Sequence, residues 1–238
     1  MYKHRMLVVF VLLALLVGCS LTEEAITGSG KVVPQEEAIT GFDKVVVSHA
    51  FKADISQGET FSVIVRVDDN LLEYLEVVKQ GSNLKIGLTT DRLIRNATLE
   101  AEVTMPDLAG VDLSAASQGT VTGFKSPNAL DLDLSAASHL RGDIEAGDVR
   151  LDASGASQVT LRGSAGDVTI DASGASKVDL ADFPGASATV KATDASNVTV
   201  NASGTLDVDA SGASNVYYVG SPTLGTVETS GASNVEQK

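Results

Sequence analysis

The 238 residues hold 31 acids against 17 lysines and arginines, a formal charge of −14, with no tryptophan, one cysteine and 4% aromatic residues. So acidic a surface repels nucleic acid and anionic lipid headgroups, so nucleic acid is not an expected partner. One cysteine excludes an internal disulfide and a cysteine-rich metal site, and the scarcity of aromatics leaves Val, Leu, Ile and Ala to build any core.

The chain opens MYKHRMLVVFVLLALLVGCS, with Lys3 and Arg5 ahead of an apolar run over residues 6–17. That run is too short to span a bilayer comfortably, so residues 1–18 read as a cleaved signal peptide. Leu16-Val17-Gly18-Cys19 resembles the lipobox of bacterial lipoprotein signals, which implies cleavage before Cys19 and acylation of its thiol. Membrane attachment then rests on that lipid, and the expected location is the cell envelope: the outer side of the cytoplasmic membrane, or the outer membrane. Ser20 in the following position is compatible with outer-membrane sorting. Residues 19–39, polar, acidic and without sustained periodicity, read as a lipidated tether.

From Gly41 the pattern alternates. KVVVSHAFKADISQG and ETFSVIVRVDDN read as strands closed by turns at Gln57-Gly58 and Asp69-Asn70. DDNLLEYLEVVKQG, with Asp69 as a candidate N-cap, predicts a helical turn or a bent strand. SNLKIGL and ATLEAEVTMPDL continue the strands, so residues 40–110 form a β-rich, less regular N-terminal portion.

Residues 111–238 repeat. The second serine-bearing position of each corner falls at Ser117, Ser138, Ser157, Ser176, Ser196, Ser214 and Ser233, at intervals of 18 to 21 residues. A period near nineteen, with alternating apolar residues on both sides of each corner, gives two short strands and two turns per unit and no room for a crossover helix. One such unit cannot bury its apolar face, so the copies must stack. The fold class is therefore all-β, a parallel β-helix or β-solenoid with coils of about 19 residues, in which seven coils span roughly 30–35 Å at the spacing of β-strands.

Gly155, Gly174, Gly212 and Gly231 occupy the corner position best explained by positive φ, and Asp194 is tolerable there. Ala115 and Ala136 at the same position predict either a different turn or strain of about 1 kcal/mol. The flanking serines can satisfy corner backbone groups, so the motif reads as chiefly structural.

Two rows have functional potential. Asp112, Asp133, Asp152, Asp171, Asp209 and Glu228, with Lys191 interrupting, form an acid ladder that must face water or bind cations, and Ca²⁺ is the cation whose oxygen preference suits it. Beyond the corner, Gln118, His139, Gln158, Lys177, Asn197, Asn215 and Asn234 form a second ladder, either a self-bonded amide stack or a polar strip for a glycan. Catalysis finds little: beyond the signal the histidines are His49 and His139, in different regions, and no thiol or unique constellation is available. Arg141, Arg150, Arg162 and Lys177 are the basic residues that an enzyme reading would place near the acid row.

The stretch from Gly28 to Leu88, with Gly41-Phe42-Asp43 and the Ser56-Gln57-Gly58 turn, and the closing Gly231-Ala232-Ser233-Asn234-Val235, resembles the bacterial family described as putative auto-transporter adhesin, head GIN domain. The resemblance implies a β-helical envelope protein, often lipid-anchored, and brings no catalytic residue with it. The expected function is a non-catalytic binding or adhesion module for a glycan or an envelope protein, with no cofactor unless the acid row takes calcium. The alternatives are a polysaccharide-acting β-helix enzyme and a purely structural or accessory envelope lipoprotein.

Overall fold

The computed structural model describes residues 25–238, so the expected signal peptide, residues 1–18, and the expected acylation site at Cys19 lie outside the described residues. Two long sheets face each other. The front sheet has ten strands and the back sheet eleven, and each coil contributes one strand to each. The coils pair in parallel without a break in sequence order, from Gly110–Leu113 and Gln118–Lys125 through to Thr223–Thr229 and Asn234–Gln237. The fold is the expected parallel β-solenoid.

Its interior is a stack of rows. Val45, Val111, Leu132, Leu151, Ile170, Val190 and Val208 lie in register on successive front strands, and all are buried. Alternation explains this: with a side-chain period of two, residues flanking each row point outward, and the constant coil length repeats the register. The strand Lys177–Gly185 departs from it with a register shift between Asp179 and Pro184. Within this strand Phe183, of the segment DFPGAS that begins at Asp182, is fully buried in the core.

The corner chemistry is uniform. Ala115 and Ala136 have φ of 52° and 50°, close to the 61° and 62° of Gly155 and Gly174, so the first two corners use the same turn and bear its strain. The next residue is also left-handed in six corners: Ala116, Ala137, Ala156, Ala175, Ala195 and Ala213. Two successive positive φ values are the signature of a type I′ turn. Stacking offsets the strain. The amides of Ala116, Ala137, Ala156 and Ala175 each donate to the first corner carbonyl of the next coil at 2.8 Å. The corner serines Ser117, Ser138, Ser157, Ser176, Ser196 and Ser214 are fully buried, and each hydroxyl donates to the carbonyl three residues back at 2.6–2.8 Å. Their polarity is spent inside the fold. Replacing Ala136 with glycine, the residue later coils use, is expected to raise stability by about 0.5–1 kcal/mol, since relief of the left-handed alanine outweighs the added chain entropy; chemical denaturation measures it.

The N-terminal portion is part of the rod. KVVVSHAFKADISQG is two strands, Lys44–Val47 and Lys52–Gln57, around a further corner in which His49 and Ala50 have φ of 61° and 58°. These strands pair in parallel with Gly110–Leu113 and Gln118–Lys125, making one more coil. Residues 58–109 are inserted after it. They add parallel strands Asn83–Leu88 and Leu99–Met105, then close the end with antiparallel strands Ser62–Asp68 and Leu75–Gln80. The helical turn is a 3₁₀ segment, Asp69–Tyr74, whose N-cap is Asp68 and not Asp69.

Nor is the segment ahead of residue 40 all tether. Ile26–Thr27 pairs with Ile94–Arg95, and Val32–Glu37 pairs antiparallel with Ser62–Asp68 as the edge of the back sheet. Buried Asp68 pins this strap, accepting from the Gly30 amide at 2.5 Å and the Thr98 amide at 2.6 Å. Beside it Asn70 holds the Ser29 amide and the Thr27 carbonyl. The Ser29 hydroxyl, then Lys31, hold the Asp69 carboxyl below the usual carboxylate range.

Candidate functional site

Both ladders are real rows. On the front sheet Asp112, Asp133, Asp152, Asp171, Lys191, Asp209 and Glu228 are direct partners in successive coils. Strand spacing sets neighbouring rungs near 4.8 Å apart. The first three rungs line a groove of about 360 Å³ with Lys44, Asp131 and Arg150. Lys44 bonds Asp131 at 2.9 Å, and Arg150 clasps Asp152 in its own strand at 2.9 Å. Lys191 sits 3.7 Å from Asp171.

A single file of carboxylates does not converge. Among the described residues no group of three or more His, Cys, Asp or Glu is placed to hold a metal. Arg150 and Lys191 already neutralise Asp152 and Asp171, so the donor set does not fit calcium, which takes six to eight oxygens. The row is instead under electrostatic load. Partial burial, then the neighbouring Asp133 charge, raises the Asp112 carboxyl above its ordinary value; partial burial, then Asp152, does the same to Asp133. A carboxyl raised in the folded state favours folding when protonated, so its contribution is fully present below the unfolded value of about 3.9 and is lost as pH rises through the folded value. Asp112→Asn is therefore expected to raise the melting temperature at pH 7 by about 1–3 °C, with no gain below about pH 3.9; thermal melts across pH decide it.

On the back sheet Gln118, His139, Gln158, Lys177, Asn197, Asn215 and Asn234 are direct partners. All are exposed except half-buried Asn215. Among them the hydrogen bond between rungs is Asn215 Nδ2 to Asn197 Oδ1 at 3.2 Å, while Asn197 Nδ2 turns back to the Ala195 carbonyl at 3.4 Å. The expected self-bonded stack therefore does not hold the row together. Two residues on runs a parallel row, Thr120, Arg141, Thr160, Asp179, Thr199 and Tyr217. Thr120, Arg141, Thr160 and Arg162 line a shallow trough of about 380 Å³. The strip mixes donors and acceptors, is mostly uncharged, and ends near Tyr217, over whose ring Lys238 stacks at 4.5 Å.

The basic residues do not gather at the acid row. Arg150 belongs to the front sheet, whereas Arg141, Arg162 and Lys177 stand on the back sheet, away from the acid row. His49 is a corner residue whose Nδ1 lies 2.7 Å from the Ser48 hydroxyl and accepts the Leu88 amide at 3.3 Å, and His139 is an exposed rung. No nucleophile, base and orienting group meet among these residues. The parallel threonine and arginine row went unread in the sequence, although its constant offset of two from the amide row was the available signal.

This architecture has known counterparts. The family model described as "putative auto-transporter adhesin, head GIN domain" matches residues 41–222. The chain belongs to this family. Head GIN domain membership fits an extracellular or envelope-exposed protein. The fold is shared with a crystal structure described as a "putative adhesin" from Bacteroides fragilis, 16% identical over 90% of this chain and 100% of that one, at a TM-score of 0.80. A "putative adhesin" from Parabacteroides merdae is 16% identical, covering 90% and 99%, at 0.69. A "putative lipid binding protein" from Parabacteroides distasonis is 15% identical, covering 90% and 99%, at 0.71. A search of curated proteins finds no match. Among the described residues of this head GIN domain no helix is long and apolar enough to cross a membrane.

Proposed function

We propose that this head GIN domain is a non-catalytic binding module, held at the cell envelope by acylation of Cys19, which lays the outer face of its back sheet along an extended, repetitive ligand, a glycan chain in the first instance. The observation that carries this is the in-register strip of exposed rungs from Gln118 to Asn234, whose side chains are largely left uncommitted by the fold. Equivalent groups repeated along a rod match a polymer that repeats its own hydroxyls, and each contact adds to the last. The acid row faces the other way; its carboxylates serve solubility and discourage sheet-on-sheet association.

A lipid-binding role like that named for the Parabacteroides distasonis protein finds less support. The coil interior is filled by Val, Leu, Ile, Ala and Phe side chains, which leaves an acyl chain no bed there. Incubating the mature chain with a panel of envelope and environmental polysaccharides, and recording both retention and chain length, tests the proposal. Retention with unchanged length is expected. Chain shortening would establish an enzyme instead, and failure to retain any polysaccharide would turn the search to an envelope protein.

A further inference from the structure

We propose that the N-terminal end of the rod is a membrane-docking face, built on the loop around Leu93, which seats the domain on the bilayer and points its coils away; this rests on the acylation of Cys19 proposed above. The Ile26 amide donates to the Leu93 carbonyl at 2.8 Å, and the Gly28 amide to the Arg95 carbonyl at 2.9 Å. Entry point and loop are thus stitched together, with Ile26 opposite Ile94.

Six residues lie between Cys19 and Ile26, seven chain steps in all. Whatever their conformation, they reach at most about 25 Å. An acyl chain on Cys19 therefore keeps Leu93 within that distance of the bilayer surface. The far end has no such constraint. Eight strand spacings separate Asn83–Leu88 from Thr223–Thr229 in the front sheet, which is roughly 38 Å.

The tethered end also has the surface for the task. Leu93 is 55% exposed, more than any other large apolar side chain among the described residues, and Val32, 43% exposed, stands on the strap at the same end of the rod. Leu93 lies between Arg92 and Arg95, and Arg95 and Lys31 are exposed. Asp91 adjoins Arg92 and Lys31 is paired with Asp69, so on a chain of charge −14 this tip is close to neutral. An apolar tip flanked by arginines suits an anionic headgroup layer, and one lipid anchor becomes firm when a second, weak contact joins it. Lying flat on the front sheet would instead press Asp112, Asp133, Asp152, Asp171 and Asp209 against the same headgroups.

The test uses the full acylated protein in vesicles of phosphatidylcholine and phosphatidylglycerol. Because Cys19 is the sole cysteine and its thiol is acylated, Asp91→Cys and Ser230→Cys each introduce one labelling site, at opposite ends of the rod. A fluorophore on each is challenged with a quencher confined to the lipid phase. Several-fold stronger quenching at position 91 than at 230 is expected. Adding Leu93→Glu and Arg95→Glu to the Asp91→Cys protein should return its quenching to the level seen at 230 while the protein still floats with the vesicles. Equal quenching at both ends, stronger quenching at 230, or indifference to the double substitution would overturn the docking face. The mass of the N-terminal peptide separates the two failures: an unmodified Cys19 overturns the anchor, and the docking proposal falls with it, whereas an acylated, floating protein with equal quenching overturns docking alone.

Discussion

Asp68→Ala is expected to release the N-terminal strap, at a cost of about 3 kcal/mol. Asp68 is 1% exposed, and its carboxylate accepts the amides of Gly30 and Thr98. Its removal strands two amides that water reaches poorly, at about 1–3 kcal/mol for each. In a rod whose units contact only neighbours the damage stays local. Hydrogen exchange should show Val32–Glu37 losing protection while the strand Val168–Ala172 keeps it. Unchanged protection in the strap would mean that the sheet pairing with Ser62–Asp68 holds it alone.

The second large effect lies mid-rod. Leu151 is fully buried and sits between Leu132 and Ile170 in its row. Leu151→Ala is expected to cost about 2–5 kcal/mol, the sum of lost transfer energy and the cavity left among neighbours that collapse only partly. Because coils are coupled only to those above and below, the cavity also weakens the link between the two halves of the stack. Denaturant unfolding should move to a lower midpoint and broaden. Thr169→Ala, on the exposed side of the adjacent strand, is the control and is expected to change stability by less than about 0.5 kcal/mol. An equal response from both variants would contradict the packed-row account.

Ser157 illustrates what could be read in the residues. Its corner recurs with small residues at near-constant spacing, so both the stack and the register of the two ladders follow from period alone. Phe51 illustrates what could not. It stands where other coils place the buried serine, and a long insertion then separates that coil from the next, so the corner at Ser48-His49-Ala50 kept the φ values and lost the letters. Val32–Glu37 failed for another reason. An exposed edge strand bearing Pro34 and two glutamates has the composition of a tether, and what fixes it is Asp68, more than thirty residues away. The ladders' positions were legible, but their commitments were not: that the serines spend their hydroxyls on the backbone while the amides, Asn197 apart, do not depends on which face each row occupies and how far neighbouring rungs reach.

The same distinction sets the decisive measurement. Single alanine substitutions at Gln118, His139, Gln158, Asn197, Asn215 and Asn234, each assayed for affinity to a retained polysaccharide, probe the strip one coil at a time. The account predicts a graded loss, each rung weakening binding about two- to fivefold, the worth of one exposed hydrogen bond, with the polysaccharide's length unchanged. Collapse of binding at a single rung with the others silent, or shortening of the chain that one substitution abolishes, would contradict it and point to a localised site in place of an extended face.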